Sequence, residues 1–230
     1  MITTKAEVSI QEPGAAPTDW SRIRFAACVA LYGSALGAAA VLVNFLSQDI
    51  SPVYDTERMS LARSLVFATG GALAGIVVTA PAAYWLYGSR RTFSTRRRKS
   101  RGFFVWAVLG AGYGFVFPLV MGGFFLPFSG YILDWSNGIL SVPDILIENF
   151  DLITGRWIPL ALVFGAGRLF FTSLIAGAVF WPGAWLIDKF NASAHPATAR
   201  YGSWAMAVGL SGLVIAFAAF APELTLSKLG

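Results

Sequence analysis

Residues 88–101 read GSRRTFSTRRRKSR, a segment with seven cationic side chains and no acidic one. An apolar run long enough to cross a bilayer lies on each side of it. A short cationic loop between two membrane-spanning segments stays in the cytoplasm, because moving its charges through the bilayer costs too much free energy. This loop therefore predicts the orientation of every other apolar segment. Its cations are Arg90, Arg91, Arg96, Arg97, Arg98, Lys99 and Arg101.

The composition predicts a membrane protein. The chain has 230 residues, of which 56% are hydrophobic and only 13% are charged, whereas a soluble domain carries about 25% charged residues. A transmembrane β-barrel would show alternating segments of about 10 residues, but the apolar runs here are long and unbroken. We therefore expect an all-α integral membrane protein with about five transmembrane helices and a short amphipathic helix on the outer surface.

A transmembrane helix needs about 20 predominantly apolar residues, and this criterion divides the chain. Residues 1–21 form a polar N-terminal tail on the cytoplasmic side. Residues 22–222 form a single transmembrane helical domain, and residues 223–230 form a short C-terminal tail outside. The predicted spans lie at about 23–46, 64–87, 102–127, 169–188 and 204–221.

The fourth apolar run, residues 157–187, is too long for one straight crossing. Pro159 and the glycines at 165 and 167 weaken its first part as a helix. We place the crossing at 169–188 and expect 157–167 to be a re-entrant or interfacial segment that leads into it.

The distribution of Lys and Arg supports the same orientation. Of the 17 such residues, 12 fall on the predicted cytoplasmic side, four fall outside, and Arg168 falls at the membrane. Most of the Trp residues also lie near predicted cytoplasmic ends, where their amphipathic rings favour the headgroup level. The expected location is a bacterial-type cytoplasmic membrane, with the N-terminus inside and the C-terminus outside.

Arg168 is the one charged residue inside an apolar run, and an intramembrane charge indicates a functional site by default. No acid lies at comparable depth in any predicted span. The side chain therefore either extends outward to the interface or belongs to an anion, lipid-headgroup or transport site.

The loop at 128–156 holds the predicted surface helix. Ser141, Pro143 and Asp144 have the spacing of a helix start with a capping serine and an acid three residues later. Asp144, Glu148 and Asp151 then fall on one helix face, which is either solvated or docks a basic partner.

The cationic loop predicts contact with anionic lipids, to which each cation near the surface contributes about 1 kcal/mol. The alternative is that the loop only sets the topology. Nucleic-acid binding would need several aromatic side chains among the charges. Only Phe93 is present, so nucleic acid is not an expected partner.

Glycines recur at GxxxG spacing in three spans, at Gly33 and Gly37, Gly71 and Gly75, and Gly110 and Gly114. This spacing lets two helix backbones approach closely. We expect these glycines to pack within the bundle, and an intermolecular face is the alternative. Cys28, the sole cysteine, is expected to pack as a small residue against a neighbouring helix.

The residue inventory argues against catalysis. His195 is the sole histidine, so ligation of haem or zinc by several histidines is excluded within this chain. We find no nucleophile elbow, no phosphate-binding loop, no cysteine pair and no paired carboxylates within a span. We therefore expect no enzyme activity, no cofactor and no metal.

The sequence favours a structural or accessory subunit that packs by its helices against other membrane protein subunits, and a bound lipid or pigment is a further partner that the pattern leaves open. The alternative is a small transporter or channel with a site near Arg168. A faint repeat between the second and fourth spans favours the alternative, whereas the scarcity of polar lining residues opposes it. A membrane enzyme with a lipid substrate has the least support.

Overall fold

The computed structural model describes residues 19–48, 61–88, 103–139, 141, 143–144, 147, 158–193 and 195–226. The described residues are almost entirely helical and contain no strand. The helices are α1 (Asp19–Gln48), α2 (Leu61–Gly88), α3 (Phe103–Val120), α4 (Leu126–Ser136), α5 (Ile158–Asn191) and α6 (Ser203–Leu226). Two π-helical segments, Met121–Phe125 and Thr198–Gly202, precede α4 and α6.

Five stretches of these helices are long and apolar enough to cross a membrane. They are Arg22–Asn44, Ser64–Tyr87, Phe104–Ser136, Leu169–Asn191 and Thr198–Phe220. The prediction of an all-α fold with five apolar helices of transmembrane length is therefore confirmed. The orientation and the membrane in which the helices lie stay predictions.

The third stretch is longer than the sequence predicts, because the helix continues through Pro127 to Ser136. A proline lacks the N–H of the helical ladder, and its ring clashes with the carbonyl group four residues earlier. That residue is Gly123, which lies in the π-helical segment Met121–Phe125. A π-helical turn is wider than an α-helical one, and this segment joins α3 to α4 without a loop. The first nine residues of the predicted loop at 128–156 are consequently helical.

The lead-in to the fourth crossing is part of α5. This helix runs for 34 residues from Ile158 to Asn191, a length of about 51 Å at 1.5 Å per residue. The chain does not reverse direction before Leu169, and Pro182 also lies inside the helix. Since a hydrocarbon core is about 30 Å thick, α5 is longer than one perpendicular crossing requires.

Helix α1 is at the centre of the bundle. Of the most apolar 18-residue stretch of α1, 67% is buried, whereas the corresponding share for α6 is 22%. Helix α1 packs against α2, α5 and α6, and α3 packs mainly against α5. In lipid, helices gain little from burying apolar surface, so close packing and interhelical hydrogen bonds hold them together.

Glycines allow several of these helices to approach closely. A Cβ atom added at Gly37 would overlap the carbonyl oxygen of Gly71, and one added at Gly75 would overlap that of Gly33. Gly110 on α3 and Gly177 on α5 have the same relation to each other. The prediction that the three GxxxG motifs pack within the bundle is confirmed.

Candidate functional site

Most of the residues singled out from the sequence lie beyond what the structure describes. The seven cations of the 88–101 segment are outside the described residues, and so are Glu148 and Asp151. Arg168 lies within α5, but its side chain is outside the described part of the chain. The lipid contact, the docking face and the Arg168 site therefore stay predictions.

Asp144 is described, and it forms the predicted helix cap. The backbone N–H and the hydroxyl of Ser141 both donate hydrogen bonds to Oδ2 of Asp144. In return, the backbone N–H of Asp144 donates to Ser141 Oγ over 3.4 Å. This reciprocal pairing is a capping box. The hydrogen bonds from Ser141 stabilise the carboxylate and lower the pKa of Asp144 below its ordinary value.

A stack of aromatic side chains joins three helices at the centre of the bundle. The ring of Phe180 on α5 is stacked on Tyr113 of α3, with centroids 5.1 Å apart, and on Tyr32 of α1, with centroids 6.0 Å apart. The Tyr113 hydroxyl donates to the carbonyl oxygen of Gly33 over 3.0 Å, and the Tyr32 hydroxyl donates to that of Val179 over 2.8 Å. Both donors are used for packing between helices.

A buried polar cluster lies at the end of the bundle where α1 begins. Asp188 is fully buried, and Asn191 and Trp106 are each 1% exposed. The indole N–H of Trp106 donates to Oδ2 of Asp188 over 3.3 Å, and Nη2 of Arg24 donates to Oδ1 of Asn191 over 3.4 Å. Arg24 Nε and Asn191 Nδ2 have no hydrogen-bond partner among the described residues.

Cys28 lies near this cluster, on α1. It is buried, and its Sγ atom lies 3.9 Å from Oγ of Ser203 on α6. The Ser203 hydroxyl in turn donates to the carbonyl oxygen of Ala199 over 2.7 Å. The prediction that Cys28 packs against a neighbouring helix is confirmed.

An apolar groove separates α2 from α3. We call it the α2–α3 groove, and it encloses about 330 Å³. Its floor consists of deeply buried side chains, and its rim consists of exposed ones such as Val77 and Val116. The lining residues are Val29, Val77, Val78, Thr79, Ala82, Ala83, Trp106, Leu109, Gly112, Tyr113, Val116, Val120 and Phe180.

Small residues occupy one exposed side of α6. We call this surface the α6 outer face, and it consists of Ala205, Gly209, Gly212, Ala216 and Ala219, all exposed. Their spacing of four, three, four and three residues places them in one line along the helix. A Cβ atom added at Gly209 or Gly212 would meet no atom within 4 Å.

The α6 outer face points away from the bundle. The buried residues of α6, such as Ser203, Ala207 and Ala218, lie on the opposite side of the helix. Ser211, on that inner side, donates to the carbonyl oxygen of Leu31 on α1 over 3.4 Å. Helix α6 therefore has one side that packs against its own bundle and a second side, also lined by small residues, that does not.

Three of these features were not predicted from the sequence. The small residues of the α6 outer face recur regularly along the sequence, but their spacing does not match GxxxG. Asp188 was interpreted only as the end of a span, and its burial depends on contacts with distant residues such as Trp106. The α2–α3 groove has no local sequence signal, because four different helices line it.

Among the described residues, no group of three or more His, Cys, Asp and Glu side chains could hold a metal ion. The described chain is thus a bundle with five apolar helices of transmembrane length, an internal polar cluster, a lateral groove and one smooth outer face. No protein-family model, curated protein or solved structure matches the chain.

Proposed function

We propose that this protein is an accessory subunit of a larger membrane protein assembly, and that it packs against a helix of another subunit through the α6 outer face. The proposal places it in a bacterial-type cytoplasmic membrane, with the N-terminus inside and the cationic loop against anionic lipids. The supporting observation is the line of small residues on the side of α6 that points away from the bundle.

The contacts inside the bundle are a guide to what such a face binds. Where α1 meets α2, the carbonyl oxygen of Gly71 occupies the space next to Gly37 that a side chain would otherwise take. Small residues at this spacing are enriched where transmembrane helices meet, because they allow backbones to approach closely. Gly209 and Gly212 offer the same space, and none of the described atoms fills it.

The occupant that we propose is a helix of a different protein. A polar or charged partner is a poor match, because the bulky residues beside the small ones are apolar: Val208, Leu213, Ile215, Phe217 and Phe220 are all exposed. A transmembrane helix, with an apolar surface of its own, is complementary to such a face.

The test compares native particles extracted in a mild detergent from cells that produce the wild-type chain or Gly209→Leu. We expect the wild-type particle to contain unrelated membrane subunits, and we expect those subunits to be lost from the variant. Gly130→Leu is the matched control, because a Cβ atom at Gly130 on α4 also meets nothing within 4 Å. A wild-type particle that contains only this chain would contradict the proposal.

The transporter alternative is tested on the same preparations. An accessory subunit predicts that Arg168→Ala leaves the subunit composition unchanged and causes no loss of solute flux. If reconstituted wild-type protein alone carried a flux that Arg168→Ala abolished, the transporter would replace the accessory subunit.

A further inference from the structure

The α2–α3 groove is a gap between two helices that follow each other in the chain. In a bundle of packed helices such neighbours usually fill the space between them with interdigitated side chains. Here Val29 of α1 and Phe180 of α5 form part of the floor instead, so the gap reaches the interior of the bundle. At the rim, a Cβ atom added at Gly112 would meet nothing within 4 Å.

The walls of the groove are apolar because their polar atoms are already used. Thr79 Oγ1 donates to the carbonyl oxygen of Gly75 over 2.7 Å. The Tyr113 hydroxyl donates to Gly33, and the Trp106 indole N–H donates to Asp188. A ligand with polar atoms would lose its hydrogen bonds to water on entry and gain none from these groups.

The size of the groove restricts the shape of its occupant. Its volume of about 330 Å³ is near the lower end for small-molecule sites. A groove of this size between two helices accommodates a narrow, flexible chain or part of one.

We propose that the α2–α3 groove binds one acyl chain of a membrane phospholipid, which enters sideways between α2 and α3. The helices on both sides of the opening are apolar and long enough to cross a membrane, and in a bilayer the opening would face phospholipid acyl chains. A bound chain restores the van der Waals contacts that the gap removes from the rigid aromatic floor. A quinone would bring ring oxygens that the groove cannot satisfy. This inference is independent of the proposed assembly role.

Photolabelling tests the proposal in reconstituted protein. The probe is a phosphatidylglycerol with a diazirine at the middle of one acyl chain, present as a minor component of phosphatidylethanolamine and phosphatidylglycerol vesicles. Peptide mapping by mass spectrometry then locates the label. We expect it to concentrate on groove residues such as Val78, Leu109 and Tyr113, well above the exposed side of α6.

The variant Gly112→Leu places a side chain at the mouth of the groove. Its Cβ atom would meet no other atom within 4 Å. We expect label in the groove to fall roughly tenfold, equivalent to a loss of about 1.4 kcal/mol of binding free energy. Gly130 is not one of the residues that line the groove, so Gly130→Leu is the control and should retain wild-type labelling. Val116→Trp blocks the rim from a second position, so the prediction can still be tested if Gly112→Leu does not fold.

Two results would overturn the inference. One is even labelling of all exposed helix surfaces in the wild type, with no change in Gly112→Leu. The other is native mass spectrometry that finds an isoprenoid or a pigment, rather than a phospholipid, on the wild-type chain but not on Gly112→Leu. Neither result depends on the subunits that copurify, so failure here is distinguishable from failure of the assembly proposal.

Discussion

The contact between α1 and α2 and the α6 outer face have the same kind of residues in opposite surroundings. At the first, Gly37 and Gly71 lie so close that neither could carry a side chain without displacing backbone atoms of the other helix. At the second, Gly209 and Gly212 face open space. The spacing of small residues thus predicts where a helix can be approached closely, and only the tertiary structure tells whether the approaching helix belongs to the same chain.

The strongest test of this difference is Gly37→Leu set against Gly209→Leu. At Gly37 the new side chain meets a backbone carbonyl that cannot move aside. We expect the free energy of unfolding to fall by about 3 kcal/mol or more, the upper range for an overpacked core. Gly209→Leu should change it by less than about 0.5 kcal/mol. Denaturant titration of the purified proteins in mixed micelles measures both, and equal losses would contradict the distinction.

The next test replaces Asp188, the fully buried acceptor in the polar cluster. Asp188→Leu leaves the Trp106 N–H without its acceptor, and a buried unsatisfied polar group costs about 1–3 kcal/mol. Asp188→Asn retains an acceptor oxygen at the same place and should cost less. The same titration gives both values. If Asp188→Leu were as stable as the wild type, the polar cluster would not contribute to holding α3 against α5.

A smaller effect is expected for Tyr113→Phe, which removes the hydrogen bond to the carbonyl oxygen of Gly33. Hydrogen bonds between transmembrane helices contribute about 0.6 kcal/mol on average, and the stacked ring stays in place. Tyr84→Phe is the exposed control. Arg22 donates to the backbone oxygen of Tyr84 and stacks on its ring, and both contacts remain when the hydroxyl is removed. Its unfolding free energy should match that of the wild type.

The smallest effect is expected at the exposed capping box of Ser141 and Asp144. Because the pKa of Asp144 is lowered in the folded protein, its contribution is present above the ordinary carboxyl range. It is lost as the pH falls through the lowered pKa of the folded protein. Ser141→Ala should raise the pKa of Asp144 toward its ordinary value, which a carboxyl titration followed by NMR would measure. An unchanged pKa would show that Ser141 does not cause the shift.

Local features of the sequence were enough to predict the helices. The second span, predicted at 64–87, coincides with the apolar stretch Ser64–Tyr87, because length and hydropathy are properties of a continuous segment. The capping box at Ser141 and Asp144 was predictable for the same reason. The third span was predicted to end at residue 127, whereas the helix continues through the π-helical segment Met121–Phe125 into α4.

Features that join distant residues were not predictable. Trp106 and Asp188 are 82 positions apart, and their meeting depends on how α3 lies against α5. The α2–α3 groove needs the placement of four helices at once. The partners of the GxxxG glycines were likewise undetermined, although the sequence correctly predicted that these glycines pack within the bundle.

The most direct measurement for the assembly proposal is photocrosslinking in native membranes. A benzophenone side chain would be introduced in turn at Gly212 and Ala216 on the α6 outer face, and at Ile175, which is 65% exposed on α5. We expect adducts with a different membrane polypeptide from Gly212 and Ala216, and none from Ile175. Adducts with lipid alone, or with a second copy of this chain, would contradict the account.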